Sequence, residues 1–156
     1  MDDPDDIACW QRLDTRTTTS GCLQRQDINR LNAIGVRHVI NLALDDHTLA
    51  LPEEALLMAE AGIHYTHIPV PFDKPNDDLF NVFRQAYEAA DGPVHAHCIA
   101  NWRVSAFFYR YNRDVKGMSE REARALMERQ WAPETSNNPS APLWAKFVAP
   151  KDETLM

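Results

Sequence analysis

No apolar run in the sequence approaches the roughly 20 residues that a membrane-spanning helix requires, so no membrane span is expected, and the net charge of −7 argues against an anionic-membrane partner. The first residues, Met1-Asp2-Asp3-Pro4-Asp5-Asp6, lack the basic-then-apolar order of a secretory signal, and the expected location is cytoplasmic. Cysteine is scarce. Cys9, Cys22 and Cys98 are odd in number and unclustered, which disfavours a disulfide framework and suits free thiols in a reducing compartment. Basic residues number 16 against 23 acidic ones, and the net charge of −7 argues against a nucleic-acid partner. It does not argue against a phosphorylated substrate, because a pocket can be positive inside an acidic protein. Internal repeats and coiled-coil heptads are also missing. His95 and His97, two apart on a strand, face the same way, yet no third ligand is spaced to join them. Zinc sites usually need three or four ligands, so no metal and no cofactor is expected.

What remains is an ordinary globular composition, 44% hydrophobic, in a chain long enough for one domain and short for two. Residues 1–156 read as a single domain, with 1–6 and 149–156 as flexible tails. Ile7 to Leu13 and Arg16 to Ser20 read as two short strands, with a hairpin at Asp14-Thr15. A helix follows from Gln26 to Ala33, stopped by Gly35. Val36 to Leu42 has the unbroken apolar character of a buried parallel strand. Pro52 fits the first position of a helix, with Glu53 and Glu54 at its positive end and Gly62 as its stop. His64 to Val70 is the next strand, and Pro69, Pro71 and Pro75 stiffen the loop after it. Asp78 can cap a helix with Leu79, Val82, Phe83, Ala86, Tyr87 and Ala90 on its inner stripe. Ser119 and Glu122 form a capping box for a later helix. After Trp131 the chain becomes rich in proline, serine and asparagine, before a short Leu143–Val148 segment.

Strands alternating with helices imply a mainly parallel sheet of four to five strands with helices on both faces. In such sheets ligands sit beyond the carboxyl ends of the strands. The loops Ala43–Leu51, Pro71–Asp77 and Cys98–Arg103 should therefore meet at one cleft.

The last of these carries the chemistry. Val94 to His97 reads as a short buried strand, and Val104, Phe107, Phe108 and Tyr111 recur with helical spacing. Cys98 to Arg103 joins them. Backbone N–H groups at a helix N-terminus converge on one spot, where the dipole also favours negative charge. A cysteine there loses its proton more readily. A cation is misplaced at such an end unless an anion accompanies it, and Arg103 can grip a tetrahedral oxyanion with two parallel hydrogen bonds. A thiolate beside an anion cradle suits phosphoryl transfer to sulfur. Cys9 and Cys22 read as structural.

His97-Cys98, a short loop and Arg103 resemble the signature of the cysteine-dependent tyrosine and dual-specificity phosphatases. Four residues, Ile99 to Trp102, separate the cysteine and arginine here, where that superfamily has five. The shorter spacing is similar to a small bacterial branch of phosphatase-like domains, found alone or in beta-lactamase-hydrolase-like proteins. Ser20-Gly21, the segment Gly35 to Leu42 and Ile68-Pro69-Val70 also resemble that branch, over about residues 15–115. The resemblance implies a phosphatase-like α/β fold and a metal-independent phosphomonoesterase acting on a phosphorylated small molecule or phosphoprotein. It makes Cys98 the nucleophile and assigns phosphate binding to Arg103 with the backbone of Ile99, Ala100, Asn101 and Trp102. It gives His97 and Ser105 loop-supporting roles. Asp73, where the family's acid loop lies, becomes the candidate proton donor, with Asp46 and then Asp45 behind it.

Two departures stand out. Asn101 replaces a mid-loop glycine, and asparagine is among the few other residues that enter the left-handed region readily. Val104 replaces the usual hydroxyl residue after the arginine, and Ser105 comes one later. The four-residue loop also matches rhodanese-type sulfurtransferases, leaving a persulfide carrier as an alternative. A phosphate-binding module with weak catalysis is the other.

Overall fold

A computed structural model describes residues 2–150. Met1 and residues 151–156 of the expected C-terminal tail lie outside the described residues. Residues 2–6 are not a free tail. Asp3 forms a two-point ion pair with Arg12 at 2.7 and 2.8 Å, and Asp6 pairs with Arg30. Ile7 behind them is buried.

The N-terminal hairpin is present as β1 (Gln11–Arg12) and β2 (Thr17–Ser20), paired antiparallel. Asp14 Oδ1 accepts from the N–H groups of Arg16 and Thr17 at 2.8 Å and closes its turn. Helix α1 (Asp27–Ala33) ends before Gly35, whose φ of 91° only glycine takes without strain. Strand β3 is His38–Asn41 and β4 is His64–His67. Helix α2 (Glu54–Glu60) starts later than proline placement suggests, because Glu53 sits in the left-handed region with φ 59°. Helix α3 (Asp77–Ala89) is capped by Asn76, not Asp78: Asn76 Oδ1 accepts from Leu79 N–H at 2.8 Å. The buried stripe is Phe80, Phe83 and Tyr87, and Val82, expected on it, is exposed.

Strand β5 (Val94–His97) leads into α4 (Trp102–Arg110), which continues as a π-helical turn over Tyr111–Val115. The capping box forms as expected on α5 (Glu120–Glu128), where Ser119 Oγ accepts from Glu122 N–H and donates to Glu122 Oε1. The proline-rich segment does not stay irregular. Ala141–Val148 is a helix, α6, with Pro142 in its first turn, where a missing N–H costs nothing.

The sheet order is β1-β2-β5-β3-β4, parallel except for β1. Side-chain alternation divides the two faces. Ile40, Val94 and Ala96 meet α3 to α6, and Val39 meets α1 and α2. Thus β5, central in the sheet, turns Val94 and Ala96 to one side and His95 and His97 to the other.

Candidate active site

The loop after β5 is held by a close approach from β2. Cys98 N–H donates to Ser20 O at 3.4 Å, and Cys22 N–H donates to Ile99 O at 2.9 Å. Between them lies Gly21. A Cβ there would stand 2.5 Å from the Ile99 carbonyl oxygen and 3.3 Å from Ala100 Cα. Only hydrogen fits, which gives the Ser20-Gly21 pair its physical reason.

Asn101 turns the chain into α4 with φ 65° and ψ 10°. Fully buried, its Nδ2 donates to Cys9 O at 2.9 Å and Thr19 Oγ1 at 3.0 Å, while its Oδ1 has no partner. The first N–H groups of a helix have no partner within it. Among the described residues, the N–H groups of residues 99–103 donate to no loop carbonyl or side chain. Those amides are available to an anion.

Cys98, Ile99, Ala100, Trp102 and Arg103 share a cavity of about 320 Å³ with Leu44, Asp46, His47, Phe72 and Asn138. Cys98 and Arg103 are both buried, and Arg103 is pinned by an Nη1 bond to Val70 O at 2.9 Å. That anchor engages one nitrogen of the fork and leaves the rest for an oxyanion. All three loops predicted for the strand ends contribute to this cavity. Asp73 itself is not in its lining. It is exposed and borders a neighbouring cavity with Lys74 and Lys146, while the Phe72 ring beside it faces the Cys98 cavity. Ser105 Oγ donates to Trp102 O at 3.1 Å and so braces the first turn of α4.

Two aromatic contacts tie the C-terminal segment to this site. Trp131 stacks on Trp102 with centroids 4.7 Å apart and donates to Trp102 O at 3.0 Å. Trp144 stacks on Phe72 at 5.6 Å and donates to Phe72 O at 2.6 Å. Each indole both packs and satisfies its N–H, the usual condition for burying tryptophan. No spacing rule pointed from this segment to the cavity.

Beneath the loop lies a polar layer. His97 Nε2 is 2.6 Å from Glu54 Oε2, and His97 Nδ1 is 3.3 Å from Cys98 O. Asn41 links Glu54 to the Tyr65 hydroxyl. Burial, and then the charge of Glu54, push the Tyr65 phenol up to about 12. His95, wholly enclosed, meets Thr18 Oγ1 and Ser20 Oγ at 2.8 Å each and stacks on Trp10. Burial first, and the neighbouring His97 second, hold it well below the usual histidine range. Glu54 is the member that sequence reasoning missed, since its place at a helix start had a sufficient explanation in the dipole. Among the described residues, no group of three or more His, Cys, Asp or Glu is arranged to hold a metal.

The chain resembles known proteins in sequence and in fold. The beta-lactamase hydrolase-like protein of Agrobacterium fabrum is 29% identical over 100 residues, which are 62% of this chain and 23% of that protein. The chain therefore spans about a quarter of that relative's length. A putative phosphatase (DUF442) from Shewanella putrefaciens superposes with a TM-score of 0.76 at 28% identity, covering 92% of this chain and 90% of the other. P. aeruginosa TpbA, solved in complex with phosphotyrosine, shares the fold with a TM-score of 0.67 at 20% identity, covering 96% and 93%. Residues 11–110 match the family model of the beta-lactamase hydrolase-like protein, phosphatase-like domain. That match takes in the Gly21 contact, the Cys98–Arg103 loop and the strands that present them, and the chain belongs to this family of phosphatase-like domains.

Proposed function

We propose that this chain is a cysteine-dependent phosphomonoester hydrolase. The observation that carries the reading is one cavity holding Cys98, Arg103 and loop amides without a protein partner, at the N-terminus of α4. The Cys98 thiolate attacks phosphorus, an S–P bond forms and the P–O ester bond breaks. The amides of residues 99–103 and the Arg103 guanidinium carry the charge on the equatorial oxygens. The leaving oxygen takes a proton from a carboxylic acid. Water, giving its proton to the same carboxylate, then breaks the S–P bond and releases phosphate.

The reading assigns the acid to Asp46, supported by its place in the lining of the Cys98 cavity. Asp73, expected from the position of its loop, is the competing carboxylate. The substrate assigned is an aryl phosphate. Phe72 and Trp102 in the cavity wall offer faces for its ring, and TpbA with the same fold has been solved with phosphotyrosine.

Turnover of p-nitrophenyl phosphate and of an alkyl phosphate tests this, with Asp46→Asn and Asp73→Asn alongside. The acid's loss should slow the alkyl ester by about 10²–10⁴-fold and the nitrophenyl ester, whose leaving group needs no proton, far less. If only Asp73→Asn shows that dependence, the acid lies on the later loop. Thiosulfate turnover without phosphate release would replace the reading with sulfur transfer.

A further inference from the structure

Beside the Cys98 cavity lies a second, wider one of about 930 Å³, and the proposed reaction leaves it without a task. Residues 73–77 form one wall, and Leu143, Lys146 and Phe147 of α6 stand in the other. One aromatic layer separates the two cavities. The Phe72 ring lines the first, and Asp73, next in the chain, lines the second. Trp144 stacks on Phe72, and its neighbour Leu143 lines the second. A substrate longer than a single ring, with its phosphate at Cys98, has this surface next to it.

The floor is apolar and fixed in place. Pro75, Leu143 and Phe147 supply it, and Leu143 is left 47% exposed. Phe147 is held from behind: it stacks on Phe107 at 5.3 Å, and the Arg110 guanidinium lies 4.5 Å from its ring centroid and 4.4 Å from that of Phe80. A surface formed in advance costs little ordering when a ligand arrives.

The rim carries an excess of positive charge. Asp77 is met by the buried Arg110 at 2.8 Å. Among the described residues, neither Lys74 nor Lys146 takes part in an ion pair. Asp73 is the remaining carboxylate of the lining. Two ammonium groups against one carboxylate make a locally positive rim on a chain of net charge −7. The complement of such a rim over an apolar floor is an apolar side chain with a carboxylate close by.

We propose that this second cavity is a substrate subsite for an acidic peptide: with a phosphotyrosine at Cys98, a flanking apolar side chain rests on Leu143 and Phe147, and a flanking carboxylate pairs with Lys74 and Lys146. This rests on the phosphatase reading above and narrows its substrate to phosphotyrosine in an acidic segment that carries an apolar residue.

The experiment compares three substrates on the full chain: p-nitrophenyl phosphate, a phosphotyrosine peptide flanked on both sides by aspartate and leucine, and the same peptide with asparagine for aspartate. At low salt the acidic peptide should have the higher kcat/KM by about tenfold, the order of two exposed ion pairs, with the difference in KM. Raising the salt to about 0.5 M should shrink that preference. Lys74→Glu combined with Lys146→Glu should invert it, and Leu143→Ser should raise KM for both peptides alike. All three side chains are exposed, so the fold does not depend on them. Equal kcat/KM for the two peptides, or a preference that survives the double reversal, overturns the proposal, while turnover of p-nitrophenyl phosphate in the same sample leaves the phosphatase reading standing. No turnover of any of the three removes that reading and the subsite with it. A peptide KM that climbs with enzyme concentration assigns the cavity to a second copy of the chain and likewise overturns the proposal.

Discussion

Replacing Asn101 separates two reasons for its presence, backbone conformation and side-chain bonding. Asn101→Gly removes the Nδ2 bonds to Cys9 O and Thr19 Oγ1 and keeps a residue content with φ 65°. Two net hydrogen bonds are worth about 1 kcal/mol each. Deleting Oδ1, which is buried without a partner, offsets part of that loss, so the glycine variant should lose about 1–2 kcal/mol by the same measure. Asn101→Ala loses the same bonds and adds about 1–2 kcal/mol for holding a Cβ in the left-handed region. Alanine should therefore be the less stable by about that increment, a difference of roughly 2–8 °C in Tm for a domain of this size. Packing alone ranks them the other way, since alanine fills more of the space asparagine leaves. Urea unfolding at constant m-value measures both variants. An alanine variant as stable as the glycine one would refute the backbone argument and leave Asn101 as a hydrogen-bonding residue.

Two further outcomes are expected. Gly21→Ala forces a Cβ against the Ile99 carbonyl and Ala100 Cα, so the loop must shift. Stability should fall by about 1–3 kcal/mol, as overpacking usually costs, and inorganic phosphate should no longer protect Cys98 from iodoacetamide; full protection would show that the contact does not shape the loop. His95 makes stability depend on pH with a definite sign. Its folded basicity is depressed by burial, so between about pH 6.5 and 5 the unfolded chain binds the extra proton and stability falls with pH, by up to about 1.4 kcal/mol per unit. The carboxylates held low by ion pairs, such as Asp3 and Asp14, act at lower pH. His95→Gln should flatten the profile in that window, and a profile as steep as the wild type's would refute the assignment.

The sequence by itself determined the order of strands and helices, the parallel sheet and the convergence of three loops, because apolar periodicity and turn residues are local signals. It also singled out Cys98 and Arg103, whose spacing is fixed by a short loop between regular elements. It misjudged two helix starts: Pro52 fits a first helical position, but Glu53 in the left-handed region delays the helix to Glu54, and of the two cap-type residues Asn76 and Asp78 only the folded backbone selects Asn76. Tertiary structure decided the rest. Glu54 meets His97 across 43 residues, and Trp144 meets Phe72 across 72. Such pairs leave no periodic trace, since each partner already fits its own element. Which carboxylate borders the cavity was likewise outside the reach of spacing: Asp46 and Asp73 both leave the same sheet edge, and only the folded course of each loop sets its direction.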